Sequence, residues 1–160
     1  MQSMIKREVS LSLTAHSEFI RQMILDGLEV AKHREEKYKG SVHINSNAIY
    51  YRNMRQNGHS TALRTVFNAP EFDDIGVISL FLDNSQRLNF LNNSANTQNL
   101  KECLFWEKTF ESDLGKLRGQ KIEVLILNDY ISIDAIKRGW NVIEKVAVQL
   151  PHLKLVVFLG

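Results

Sequence analysis

The chain has 160 residues, 44% of them hydrophobic and 24% charged, which suits one globular domain with a genuine core and excludes a disordered or low-complexity chain. A formal charge of +2 is too small to argue for nucleic-acid binding, which needs clustered cations. The single cysteine, Cys103, excludes a disulfide framework and a multi-cysteine zinc site.

Met1 to Leu13 carries Lys6, Arg7 and Glu8 with no uninterrupted apolar stretch, so it does not read as a secretory signal. No apolar run anywhere approaches the roughly 18 residues that a membrane helix needs. The expected compartment is therefore reducing cytoplasm, with no membrane partner.

The first element is predicted as a helix from Ser17 to Lys37, with Phe19, Ile20, Met23, Ile24, Leu28 and Ala31 at helical spacing. Its charged end runs to Gly40, a usual helix-terminating residue, and Ser41 to Asn47 is a polar connection. This helix either packs across the sheet or offers a self-association surface, through which a homo-oligomer would form. Its mixed-sign end argues against a basic membrane anchor. Ala48-Ile49-Tyr50-Tyr51 is a short β-prone run, followed by a loop from Arg52 to His59 and a helix from Ser60 to Asn68. Ile75 to Leu82 reads as a strand buried on both faces.

From Asp83 to Thr97 the chain is rich in asparagine and serine and reads as irregular, with a short apolar piece at Leu88 to Leu91. A helix is predicted from Gln98 to Leu117, where Leu100, Cys103, Leu104, Phe110, Leu114 and Leu117 share a face; Trp106 falls within it. Val124 to Leu127 is the next strand, closed by Asn128-Asp129. Ser132 to Leu150 is a helix with a stripe of Ile133, Ile136, Trp140, Ile143 and Ala147, and Pro151 closes it. Leu153 to Leu159 is the last strand. Helices alternating with strands imply an α/β domain: a largely parallel, four-stranded sheet with flanking helices and an additional N-terminal helix.

The informative place is the loop after the first strand. A phosphate-binding loop of the form G-x-x-x-x-G-K-[ST] uses backbone N–H groups and a lysine to hold phosphates between a strand and a helix. In this frame Asn53 stands at the first glycine, Gly58 and Ser60 match, and His59 replaces the lysine. Gly58-His59-Ser60-Thr61-Ala62-Leu63 resembles the G-K-S-T-A-L opening of P-loop ATPases, phage-type helicases and packaging motors among them. Val124 to Asp129 resembles a Walker B strand, and Leu155 to Gly160 the next strand of the same RecA-like core. The resemblance covers residues 48–160, leaves 1–47 as a helical extension, and implies a viral or phage protein of the host cytoplasm.

That resemblance implies a nucleotide site in which Asn53, Arg55, Gly58, His59, Ser60 and Thr61 meet ATP, while Ser60 and Asp129 hold Mg²⁺ and Asp129 is the catalytic acid. The departures imply weak or absent hydrolysis. Histidine is shorter than lysine and mostly neutral at pH 7, and Asn128-Asp129-Tyr130 lacks the glutamate that orients water. Arg52 and Arg55 lie within the loop and Arg64 soon after it, so an arginine can restore the charge.

The function implied is a pseudo-ATPase that binds a protein or nucleic-acid partner. Two alternatives stay open: a slow Mg²⁺-dependent ATPase completed by a partner subunit's arginine, or a pure interaction module with a relic loop. The five histidines have no metal-ligand spacing, and His59-Ser60 has no third orienting group. Ser60 reads as a helix cap. Glu71, Asp73 and Asp74 read as a solvated turn; the competing reading joins them to Asp129 in a metal-dependent nuclease site. Cys103 reads as a buried, inert thiol.

Overall fold

A computed structural model describes residues 13–39, 43–52, 59–94 and 100–160. The chain is an α/β domain built on a five-stranded, wholly parallel sheet: β1 (Ala48–Tyr51), β2 (Gly76–Phe81), β3 (Leu104–Trp106), β4 (Ile122–Asn128) and β5 (Leu155–Leu159). Their order across the sheet is β1-β5-β4-β2-β3. Among the described residues no helix is long and apolar enough to cross a membrane.

Helices cover both faces, as a parallel sheet requires. On one face lie α1 (Leu13–Tyr38), α2 (His59–Asn68) and α3 (Asn84–Asn92). Ile20, Ile24, Leu28, Leu63, Val66, Phe90 and Leu91 from these helices share a core with Val124, Ile126 and Val157. On the other face lie α4 (Phe110–Asp113), continued by a 3-10 turn at Leu114–Leu117, and α5 (Ile133–Val146). Phe110, Leu114, Leu117, Ala135, Ile143 and Val146 pack there against Leu125, Leu127, Val156 and Phe158. The faces follow from handedness. The connections through α2 and α3 step one way across the sheet, those through α4 and α5 step back, and right-handed crossovers put the two directions on opposite faces.

Helix α1 is part of this core. Ile20, Ile24, Leu28 and Ala31 recur every three or four residues and are buried, so the helix packs across the sheet. It passes so close at Gly27 that a Cβ there would lie 2.7 Å from Ile49 Cδ1. The helix ends through Lys39, whose φ of 51° is left-handed, one residue before the expected Gly40. Ionic contacts tie it down: Arg21 to Glu71 at 3.2 Å, Lys32 to Glu123 at 3.6 Å, and Glu35 to Lys154. The Lys154 hydrogen bond holds the Glu35 carboxyl below the usual carboxylate range. A depressed folded-state pKa contributes stability above the unfolded pKa and loses it as pH falls through the folded one. Glu35→Gln is therefore less stable than the parent at pH 7, and the two converge on acidification; urea midpoints measured from neutral to acid pH check this.

The spacing predicts one helix over 98–117, and the structure replaces it. Leu104-Phe105-Trp106 is a fifth strand, with Leu104 in one core and Phe105 in the other. Trp106 is thus on a strand, and α-helical form returns at Phe110–Asp113. The asparagine-rich stretch read as irregular contains α3. Asp83 caps it by accepting from the Ser85 N–H at 2.8 Å, which offsets its poor intrinsic propensity. On α5, Ile133 is 73% exposed, and Ala147 is also exposed. The stripe keeps Ile136, Trp140 and Ile143, which pack against the second core, and is completed by the buried Ala135, Gly139 and Val146. Trp140 is half-buried and donates through Nε1 to the Tyr50 hydroxyl at 2.9 Å. Cys103 is half-buried in the turn before β3, and burial raises its thiol pKa, which suits an unreactive thiol.

Candidate functional site

All five strands run the same way, so their carboxyl ends share one edge of the sheet. In such sheets ligands bind beyond that edge, between neighbouring strands whose outgoing connections leave on opposite faces. Here β2 and β4, at the centre of the sheet, form such a pair. The chain leaves β2 into α3 on one face and leaves β4 into α5 on the other. A cavity of about 150 Å³ opens at this point. It is lined by Leu63 and Arg64 of α2, Phe81 of β2, Gln86, Asn89 and Phe90 of α3, Asn128 and Asp129 at the end of β4, and Leu159 of β5.

Three consecutive residues at the end of β4 take three different roles. Asn128 is buried and donates from Nδ2 to Ser79 Oγ, whose hydroxyl donates to the Ile126 carbonyl at 3.1 Å. This pins β2 to β4 directly beneath the cavity. Asp129 follows with φ 62°, in the left-handed region that aspartate tolerates better than most residues. Its N–H donates to the Leu159 carbonyl at 2.9 Å, and its own carbonyl accepts from the Ile131 N–H at 3.0 Å. The turn therefore leaves Asp129 in the cavity wall. Tyr130 goes the other way, into the second core, where its hydroxyl donates to Glu107 Oε2 at 2.6 Å. Arg138 holds the other Glu107 oxygen at 2.8 Å. Burial, reinforced by the adjacent carboxylate, raises the Tyr130 pKa far above the ordinary phenol, so the hydroxyl stays a donor.

Arg64 enters from the facing wall. Its guanidinium carbon lies 4.8 Å above the Phe90 ring, and Nε donates to Ser94 Oγ at 3.3 Å. Ser94 in turn donates to the Phe90 carbonyl at 2.7 Å, so both supports of the guanidinium come from the end of α3. Among the described residues lining the cavity, Arg64 is the one cation and Asp129 the one acid.

Asn53, Arg55 and Gly58 lie outside the described residues. His59, Ser60 and Thr61 form the first turn of α2; the helix starts at His59, so Ser60 lies within it rather than at its cap. The segment joining β1 to α2 thus runs from Arg52, which is exposed, to residue 58. The sheet brings the start of α2 and Asp129 to the same edge. It separates Asp129 from Glu71, Asp73 and Asp74, which precede β2 at the opposite edge. Among the described residues no three or more His, Cys, Asp or Glu side chains converge as metal ligands. Gln86, Asn89 and Ser79 are site residues that pattern reading misses. Gln86 and Asn89 fall in the stretch that reads as irregular, and Ser79 hides inside an apolar strand. Compared with protein-family models, curated proteins and solved structures, the chain matches none of them.

Proposed function

We propose that the chain is a degenerate P-loop-type domain that binds a nucleoside phosphate, hydrolyses it weakly or not at all, and acts by engaging a protein or nucleic-acid partner. The observation that carries the reading is the cavity at the carboxyl edge, where Asp129 and the α2 segment following the Gly58-His59-Ser60-Thr61 motif line one wall system. A phosphate there would meet the N–H groups and partial positive charge of an α-helix start, a favourable anion environment.

The donor set suits Mg²⁺, which keeps several waters and usually takes one or two carboxylates together with phosphate oxygens. Asp129 would supply the carboxylate and Ser60 the hydroxyl, and the bound ion would neutralise phosphate charge. The chain's own residues argue against rapid turnover. His59 stands where the loop's lysine would supply a fixed positive charge beside the outer phosphate. Tyr130, where a water-orienting glutamate would stand, is turned into the opposite core and bound to Glu107.

Thermal melting tests the reading. A ligand at about 100 times its Kd adds about 2.7 kcal/mol of stability, which for a domain of this size raises Tm by roughly 5–10 °C. MgATP is expected to produce that shift. An unchanged Tm up to millimolar nucleotide would count against a working site.

A further inference from the structure

Resting on the nucleotide-binding reading, we propose that Arg64 is the residue that recognises the outermost phosphate, so that the cavity distinguishes a nucleoside triphosphate from a diphosphate. On this reading an arginine from further along α2 supplies the charge of the missing lysine, whereas Arg52 is exposed. Three observations support the assignment.

The first is position. Arg64 lies five residues past the start of α2, about 7–8 Å along the helix axis. Side chains on a helix lean toward its N-terminus, so the guanidinium is carried back toward the carboxyl edge of the sheet. It lines the same cavity as Asp129. Among the described residues, Arg64 is the cation that this cavity offers to a phosphate chain lying between α2 and Asp129.

The second is pre-organisation. The guanidinium lies 4.8 Å over the Phe90 ring, and the Ser94 hydroxyl accepts from Nε at 3.3 Å. Both contacts use one side and one edge of the planar group. The Nη edge is the part suited to paired hydrogen bonds with two phosphate oxygens, and little side-chain freedom remains to be lost on binding.

The third is charge balance. Among the described residues of the wall the other polar side chains, Gln86, Asn89 and Asn128, are neutral amides, while Asp129 is acidic. An added terminal phosphate therefore gains its electrostatic attraction within this wall from Arg64. Removing Arg64 should cost the triphosphate more than the diphosphate.

The test is calorimetric titration of the full chain with MgATP and MgADP, comparing the parent with Arg64→Gln. The parent is expected to bind ATP about 10–100-fold more tightly than ADP, the range of one charge-assisted contact. In Arg64→Gln that ratio should fall to near unity with ADP affinity within about twofold of the parent, and Arg64→Lys should recover only part of it. Ser94→Ala, which unseats the guanidinium without removing it, should narrow the ratio in the same direction and serves if Arg64→Gln does not fold. Equal losses for ATP and ADP, or no preference in the parent, would overturn the role of Arg64 while leaving the nucleotide site standing. A parent that binds neither nucleotide overturns both.

Discussion

Gly76→Ala is expected to be among the most damaging single substitutions in this chain, costing about 3 kcal/mol and lowering the urea midpoint by roughly 1–2 M. The cause is a bulge at the entry of the two central strands. Gly76 pairs with Ile122, but Val77 pairs with Val124, so Glu123 is an extra residue on β4. The bulge throws the Lys121 carbonyl against β2, where a Cβ on residue 76 would sit 1.9 Å from the carbonyl oxygen. That contact is with backbone and cannot be relieved by a rotamer change. The same bulge places the buried Glu123 carboxylate between Lys32 of α1 and Lys121, each at 3.6 Å. A shift of β4 therefore disturbs the seat of α1 as well. Gly115→Ala is the internal control. A Cβ there meets nothing within 4 Å, so the change is neutral or stabilises by about 0.4–1 kcal/mol. Equal effects of the two substitutions in urea denaturation would refute the role of the bulge.

The second large effect concerns Asp129. Asp129→Asn is expected to lower MgATP affinity by at least about 100-fold, since even an outer-shell partner of a metal is worth about 10–100-fold in metal affinity. With the metal chelated, parent and variant should bind ATP equally or the variant slightly better, because an acid beside phosphate is then only repulsive. Asparagine is the right replacement because residue 129 has φ 62°, which asparagine adopts readily and alanine does not. The readout is the Mg²⁺ dependence of the dissociation constant. A variant that weakens binding equally with and without Mg²⁺ would assign Asp129 a structural role.

Much of the fold is legible in the residues. The continuous apolar runs of β2, β4 and β5 announce strands buried on both faces, and the three-to-four spacing of Ile20, Ile24, Leu28 and Ala31 announces α1. Two elements are not. β3 has only three residues, too few to show a period, and its neighbours Leu100 and Phe110 happen to continue a helical spacing through it. The helix α3 buries Phe90 and Leu91 but leaves Leu88 exposed, so it lacks an apolar stripe and depends on the Asp83 cap and its place against the sheet.

The candidate site shows the same division. Asp129 is readable because a carboxylate follows an apolar strand. Arg64 is not, because its setting comes from Phe90 and Ser94, which are distant in sequence and lie at the end of a helix that pattern reading does not find. Residue 130 is readable only in part. That it is not a glutamate is plain from the chain, whereas its burial against Glu107 is a tertiary fact.

The most direct test of the central claim is calorimetric titration of the full chain with ATP and ADP, with and without Mg²⁺, alongside a Gly58→Val variant. A working phosphate site predicts saturable binding that weakens in the variant, because a side chain at that position would obstruct the approach of backbone to phosphate. No heat and no thermal stabilisation from either nucleotide, with or without the metal, would contradict it and leave the cavity at the carboxyl edge a remnant.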